Sequence, residues 1–547
     1  LGAGGSLAAI GGPGAPATLA RQEAPASLDA VEFEPAAHDG GTFIFGRAAD
    51  VTSIMPHTLE SNVSQGALSL IYEPLIEPDL FTGDPMGVLA ESWGVADDGV
   101  TWTFTLREGV TWHDGEPFDA EDVKFSFDLY ANAEAGSFYV SLMEQLIASI
   151  EIIDPMTVQI VANEPSSDFP LLAAGPWQFM MAEHVLGPVP AADLMAGPIT
   201  SGAQPELIVG TGPFKFVEWI PQDHYTVARY DDYWRGRPNL DEIIQIYVVD
   251  DNAIKAQLNA GDIDGARIFA DSLADFDNPN LKLTIIAERP YLMFMQVNMD
   301  QSKSTILADP KVRQALMFGL DQEAIAATAG YGIASPALGV VPSLFTTANW
   351  DGMTVKYPFD QEQANALLDE AGWTMGADGV REKDGQKLAF ELRYISGWPP
   401  SERGAEVVQE LWRQIGVQAT ATPEQETELF DRGTQTLEYD VILWDTGWDT
   451  PDLSDFLSCG GGGNWMKYCN PEVDELLAAA RAEMDPARRA ELHAQMQDIV
   501  MTDLPIFPMI LYFSVWAVNA RVHNFLVGPF NQGWKILRPE QIWMDPL

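Results

Sequence analysis

The sequence predicts an α/β fold in which mixed sheets are flanked by helices. The first observation is the run 89–130, LAESWGVADDGVTWTFTLREGVTWHDGEPFDAEDVKFSFDLY, which has the pattern of strand, turn, strand, turn and helix. The second is that, from about residue 285 to 518, apolar strand patterns alternate with amphipathic helix patterns. A chain of 547 residues is long enough for two or three domains, each with its own core.

The run 89–130 illustrates how each element is justified. Residues 101–106 alternate strictly, which places Trp102, Phe104 and Leu106 on one face of a half-buried strand. Turn residues with glycine stand on both sides of this strand. Asp119 then has the position of a helix N-cap, with acidic residues in the first turn and apolar residues at helical spacing after it. The run is a packing motif and carries no catalytic pattern.

The remaining elements follow from the same two periodicities. Strands are predicted at 42–46, 215–219, 224–230, 240–249, 291–299, 388–395 and 439–444, with a hairpin at 150–161 and an apolar strand region at 505–518. Helices are predicted at 64–72, 253–260, 309–320, 360–371, 401–415, 473–482 and 486–501.

Composition excludes several classes of partner. The 30 basic and 80 acidic side chains give a formal net charge of −50, which repels nucleic acid and anionic membranes. No apolar run reaches the ~20 residues of a membrane-spanning helix. The acidity itself indicates solubility or salty surroundings, and attraction of cationic ligands is the functional alternative.

Two cysteines, Cys459 and Cys469, flank the glycine run 460–463. They lack the spacing of a zinc or redox motif, and the histidines show no metal-ligand spacing, so we expect no metal and no cofactor. In an exported protein the pair predicts a disulfide that closes a short loop, worth ~2–3 kcal/mol. Two buried thiols are the alternative.

The first residues have the composition of a leader. Residues 1–20 are small and apolar and end in Thr18-Leu19-Ala20, which is similar to a signal-peptide cleavage site. We therefore expect export by a signal peptide and treat residues 1–38 as signal remnant and disordered leader. A plain disordered leader without a signal is the alternative.

The run 89–130 resembles the signature of a known family, L-A-x-S-W-x-x-x-x-D-G-x-x-x-x-F-x-L-R-x-G-V-x-F-H-D-G-x-P-F-x-A-x-D-V-x-F-S. The matching residues are Leu89, Ala90, Ser92, Trp93, Asp98, Gly99, Phe104, Leu106, Arg107, Gly109, Val110, His113, Asp114, Gly115, Pro117, Phe118, Ala120, Asp122, Val123, Phe125 and Ser126. Trp112 replaces a phenylalanine of the pattern. Further matches occur at 72–75, 210–214, 298–300, 309–316, 358–373 and 470–474. The chain thus resembles, over about residues 40–530, the extracellular solute-binding proteins of ABC importers, in the oligopeptide/dipeptide/nickel-binding family.

This resemblance implies a two-lobed, periplasmic-binding-protein-like fold with an extra subdomain. Carried over, domain I covers 40–78, 205–284 and 503–547, domain II covers 79–204 in the same lobe, and domain III covers 285–502 in the second lobe. A small solute, peptide-like by analogy with the family, would lie between domains I and III. The partner would be an ABC transporter permease, the location extracytoplasmic, and the protein a monomer.

The candidate ligand-binding residues lie where predicted strands end. The segment 439–456, YDVILWDTGWDTPDLSDF, offers flat aromatic area and carboxylates for an extended ligand. In peptide-binding relatives an aspartate three residues after a tryptophan holds the peptide's amino group, whereas here these positions are Gly447 and Pro451. The candidates are Trp444, Asp445, Trp448 and Asp449, with Trp398, Tyr291 and Asn62 as weaker ones. The alternative for Trp444 is a place in the core.

Other functions remain open at this stage. Stacking tryptophans would also suit an oligosaccharide, and Asp445 with Asp449 could form the acid/base pair of a glycoside hydrolase-like enzyme. A sensor ectodomain would bind the same ligand but dock to a receptor. The sequence contains no nucleophile elbow, phosphate-binding loop or metalloprotease motif, so we expect a binding protein that is not an enzyme.

Overall fold

The structure is a computed structural model that describes residues 27–59, 61–270, 273, 278–286, 288–300, 305–345, 350–448, 450–530 and 535–546. These residues form two lobes, each built on a large mixed sheet with helices packed against it. The α/β, two-lobed fold class predicted from the sequence is confirmed.

The first lobe is built on a mixed sheet of seven strands. Its central strand, Thr42–Arg47, runs parallel to both neighbours, Glu242–Tyr247 and Gly265–Ile268. In spatial order the strands are Leu281–Ile286, Ser514–Asn519, Gly265–Ile268, Thr42–Arg47, Glu242–Tyr247, His224–Arg229 and Phe214–Ile220. The carboxyl ends of the three parallel strands meet at one edge of the sheet, where ligands of open α/β sheets bind.

A second, antiparallel sheet belongs to the same lobe. Its strands, in spatial order, are Ala90–Val95, Thr101–Leu106, Thr157–Ala162 and Ile147–Asp154. The helix Ala120–Tyr130 follows with a complete capping box, in which Asp119 and Asp122 satisfy each other's backbone N–H groups. Side chains of this sheet and of the seven-stranded sheet share one hydrophobic core, which includes Phe43, Phe104 and Phe127.

The motif at residues 210–214 connects these two sheets. A Cβ on Gly210 would lie 1.9 Å from the carbonyl oxygen of Ile71, so only glycine permits this approach. The buried imidazole of His113 then contacts both sides of the turn: its Nδ1 accepts from the Gly210 N–H at 3.2 Å, and its Nε2 lies 2.9 Å from the Gly212 carbonyl oxygen. Burial lowers the pKa of His113 to about 4, which keeps the ring neutral in this structural role.

The second lobe is built on a mixed sheet of six strands, Ser335–Pro336, Ile506–Leu511, Tyr291–Val297, Val441–Gly447, Ala389–Ile395 and Gln418–Glu424 in spatial order. The strand Ile506–Leu511 pairs antiparallel with Tyr291–Val297. The boundary of domain III predicted at residue 502 is therefore wrong. The predicted single strand region at 505–518 is in fact two strands, because the chain changes sheets between Leu511 and Ser514.

Helices surround the sheets on both lobes. The α-helices are Asn62–Leu68, Ala120–Tyr130, Val140–Leu146, Phe169–Ala174, Glu183–Leu186, Gly197–Thr200, Asp251–Ala260, Pro310–Phe318, Gln322–Thr328, Gln361–Glu370, Pro399–Gln414, Glu426–Asp431, Ser454–Leu457, Pro471–Ala482 and Pro486–Asp503. A π-helical turn covers Arg432–Thr436. Small sheets pair Ile76–Pro78 with Pro85–Gly87, Val522–His523 with Trp543–Met544, and Thr374–Met375, Arg381–Lys383 and Gln386–Lys387 with one another.

The N-terminal residues and a disulfide complete the description of the fold. The leader predicted to extend to residue 38 is too long, because Leu28 is buried and its N–H donates to Asp79 Oδ2 at 2.7 Å. Residues 1–26, which carry the signal-like segment, lie outside the described residues. A disulfide joins Cys459 and Cys469.

Candidate ligand-binding cleft

The cleft lies between the lobes, beside the two places where the chain crosses from one sheet to the other. The chain crosses after Ile286, before the strand that begins at Tyr291, and again between Leu511 and Ser514. The strands Ala389–Ile395 and Val441–Gly447 of the second lobe are parallel, so their carboxyl ends bring the following residues, Trp398 and Trp448, to the same edge.

The first cavity of the cleft has a volume of about 310 Å³ and walls from both lobes. Tyr139 and Trp177 come from the first lobe and Trp448 from the second. Trp448 is half-buried and packs against Phe294, with ring centroids 6.2 Å apart. Aromatic rings on opposite walls give flat apolar surfaces between which a ligand can be held.

The second cavity has a volume of about 500 Å³ and lies at the carboxyl edge of the first lobe's sheet. Phe269 follows a strand of that sheet, and Trp398 faces it from the second lobe at a centroid distance of 6.0 Å. Tyr512, in the second crossing segment, stacks on Trp398 at an interplanar angle of 12°. The predicted candidate Trp398 thus lines this cavity.

Asp445 lies at the end of its strand, among side chains of the crossing segments. Its Oδ2 accepts from the Tyr512 hydroxyl at 2.9 Å and from Trp398 Nε1 at 3.1 Å, and its Oδ1 accepts from the Tyr291 hydroxyl at 3.2 Å. Burial raises the pKa of Asp445, while these three hydrogen bonds favour its ionised form. The predicted candidates Asp445, Tyr291 and Trp398 are therefore brought together, in one hydrogen-bonded cluster.

Two arginines that the sequence analysis missed lie near this cluster. Arg267 lines the second cavity, and the Arg289 guanidinium lies 5.7 Å from the centre of the Tyr291 ring. Burial lowers the pKa of Arg267, and burial together with repulsion from Arg267 lowers that of Arg289 to about 9. Arg267 sits inside an otherwise ordinary strand pattern, so only the register of that strand, unknown from sequence, would have placed it at the cleft.

The other predicted candidates have different positions. Trp444 is only 9% exposed and packs against Phe430 and Trp465, at centroid distances of 6.3 and 6.5 Å. It lines neither cavity, because strand alternation points it away from the face of Asp445. Asn62 is the first residue of the helix Asn62–Leu68 and also lines neither cavity. Asp449 lies outside the described residues.

A polar contact joins the lobes at the rim of the cleft. The N–H of Ser167, from the first lobe, donates to the carbonyl oxygen of Arg481 in the second at 2.8 Å. Arg481 in turn binds Asp452 at 2.8 Å. Burial against this rim, together with the nearby Asp452, raises the pKa of Asp168 to about 6, although Arg489 attracts its charge. The two lobes are therefore in direct contact at this point.

Within the described part of the chain, no cluster of three or more His, Cys, Asp or Glu side chains has the arrangement of a metal site. None of the described helices has the length and apolar character needed to cross a membrane.

Comparison with known proteins places this architecture in a family. Residues 84–467 match the family model described as bacterial extracellular solute-binding proteins, family 5. The chain is 29% identical over 498 residues to the glutathione-binding protein GsiB of Salmonella paratyphi A, covering 88% of this chain and 91% of that protein. It is 28% identical over 476 residues to a putative ABC transporter peptide-binding protein of Brucella ovis, with coverage of 84% and 85%.

Solved structures agree with this assignment. The oligopeptide-binding protein AppA of Bacillus subtilis, in complex with a nonapeptide, matches with a TM-score of 0.72 at 25% identity, over 93% of this chain and 100% of that one. NikA of Brucella suis, in complex with Fe(III)-EDTA, matches with a TM-score of 0.77 at 25% identity, over 92% of this chain and 100% of that one. The two-lobed fold with a cavity between the lobes is the architecture that these solved structures share. The chain belongs to the family 5 extracellular solute-binding proteins of ABC transporters, as the sequence resemblance predicts.

Proposed function

We propose that this protein binds a short peptide or peptide-like solute between its lobes, outside the cytoplasm, and delivers it to the permease of an ABC importer. The observation that carries the proposal is the first cavity, which is lined by Trp448 of the second lobe and by Tyr139 and Trp177 of the first. Binding across the two lobes makes closure depend on the solute, which gives the permease a closed form to recognise.

The comparisons support a peptide as the solute. One relative binds glutathione, another is a putative peptide-binding protein, and one similar structure holds a nonapeptide. The cleft of this chain suits such ligands, because it combines aromatic walls with a few fixed polar groups.

Asp445 lines neither cavity, but it binds Trp398 and Tyr512, which line the second one. Three fixed side chains already occupy most of its acceptor positions, which leaves little of the carboxylate to an incoming ammonium group. The same hydrogen bonds tie it to both crossing segments through Tyr291 and Tyr512. We therefore assign it to the support of the site, and we infer that the protein binds its solute without chemical change.

The test is isothermal titration calorimetry with peptides of two to nine residues, combined with small-angle X-ray scattering. We expect one peptide per chain and a smaller radius of gyration when peptide is bound. Binding without compaction would contradict closure, and binding of oligosaccharides instead of peptides would contradict the proposed solute. Hydrolysis of a bound compound would show an enzyme.

A further inference from the structure

We infer that the first cavity selects an uncharged, apolar side chain of the solute and that the amides of Gln65 and Gln178 bind the adjoining peptide unit. The inference rests on the proposed function and adds the class of solute. It uses residues of the first lobe that no sequence pattern singled out.

The walls of the first cavity are chiefly apolar. Besides the aromatic rings they consist of leucine side chains, among them Leu59, Leu142 and Leu171. Phe138 also lines the cavity and is 64% exposed, so most of its ring is accessible to a ligand. An apolar group that enters this space gains the full benefit of leaving water.

The charged residues described in this wall neutralise each other. Lys535 Nζ binds Glu77 Oε2 directly. Burial opposes the ionisation of Glu77, but the attraction of Lys535 and Arg235 outweighs it and lowers the pKa of Glu77. Because Glu77 and Lys535 already pair with each other, a charged side chain of the solute would lose its hydration without finding a partner of opposite charge. Its burial here is strongly unfavourable.

Two side-chain amides are among the polar groups of this wall. Gln178 is only 2% exposed, lines the cavity, and its side-chain amide has no hydrogen-bond partner among the described residues. Gln65 is 8% exposed, and its Nε2 donates to the Pro176 carbonyl oxygen at 3.1 Å, so its Oε1 remains available to a ligand. Both side chains line the cavity, so a ligand there can bind both amides in largely apolar surroundings.

A peptide unit matches this pair of amides. It presents one N–H donor and one C=O acceptor, and a carboxamide side chain offers one of each type in return. The volume of about 310 Å³ is at the lower end of ligand pockets and suits a side chain with its peptide unit. The site thus selects an apolar residue of the solute.

The test uses calorimetric titration with tri-alanine peptides in which one position at a time carries Leu, Phe, Lys or Glu. At one position we expect Leu or Phe to bind at least about tenfold more tightly than Lys or Glu. Equal affinities for apolar and charged peptides at every position would overturn the inference while leaving the proposed function intact. If no peptide bound at all, the proposed function itself would fail.

Two variants of Gln178 test the role of its amide. Gln178→Leu should weaken every peptide about tenfold while the thermal midpoint of the protein without peptide stays nearly equal, because the amide makes no hydrogen bond to the described residues. Gln178→Glu should shift the preference at the selective position towards Lys. Unchanged peptide affinity in Gln178→Leu would contradict the assigned hydrogen bonds.

Gln497 provides the matched control. It is a fully buried glutamine of the second lobe whose Oε1 accepts from the Val341 N–H at 3.2 Å. Gln497→Leu should lower the thermal midpoint and leave the affinity for peptides unchanged. If Gln497→Leu weakened peptide binding as much as Gln178→Leu, the loss of affinity would not report a hydrogen bond to the peptide. This result would contradict the role assigned to Gln178.

Discussion

Trp448→Ala tests the contribution of the second lobe to the cleft. The indole is half-buried and lines the first cavity. If about 80–100 Å² of it is covered by the solute, its removal costs about 2–2.5 kcal/mol at ~25 cal/mol per Å². The dissociation constant should therefore rise by ~30- to 70-fold. Calorimetric titration with a peptide that the wild-type protein binds measures this change.

Trp444 supplies the control for this experiment, since it lies four positions earlier and packs into the core. Trp444→Leu should lower the thermal midpoint, because it removes contacts with Phe430 and Trp465. It should leave peptide affinity nearly unchanged. If Trp448→Ala binds peptide as tightly as wild type but is less stable, Trp448 is a core residue. The solute would then lie elsewhere along the lobe boundary.

Three further predictions concern the stability of the folded protein. Asp445→Asn replaces an acceptor of three hydrogen bonds and should cost about 1–3 kcal/mol of stability, and an unchanged thermal midpoint would contradict this. Burial raises the pKa of Asp168 to about 6, so the folded state gains stability from this group as the pH falls through 6 and loses it as the pH rises. Asp168→Asn should therefore be at least as stable as wild type at pH 7, with a relative advantage of up to about 3 kcal/mol that vanishes towards pH 4; a difference independent of pH would disprove the shift. Cys459→Ser with Cys469→Ser should lose ~3 kcal/mol of stability through the opened loop, and full stability after reduction would argue against this estimate.

The two-lobed fold was predictable because its signals are local and consistent. Strict alternation at 101–106 and the cap at Asp119 give the strand and helix that the structure contains. Periodicity predicts single strands and helices. The family resemblance predicts how distant segments combine into lobes. The error at residue 502 shows the limit: 505–518 is uniformly apolar, and only pairing with Tyr291–Val297 assigns its first half to the second lobe.

The candidate site was predictable only in part. Trp398 and Trp448 follow strands whose carboxyl ends face the other lobe, and this topology explains why both line a cavity. Trp444 belongs to the opposite face of its strand and packs into the core. Gln65 and Gln178 of the first lobe could not be predicted, because no sequence pattern shows that a glutamine side chain lines a cavity.

Native mass spectrometry with a mixture of short peptides tests whether the cleft between the lobes binds a peptide. The protein is mixed with equimolar di- to pentapeptides, and the bound species is released and sequenced. We predict a single bound peptide per chain, rich in apolar residues, and loss of this complex in Trp448→Ala. Retention of a compound that contains no peptide, or a peptide complex that persists in Trp448→Ala, would contradict binding in the cleft between the lobes.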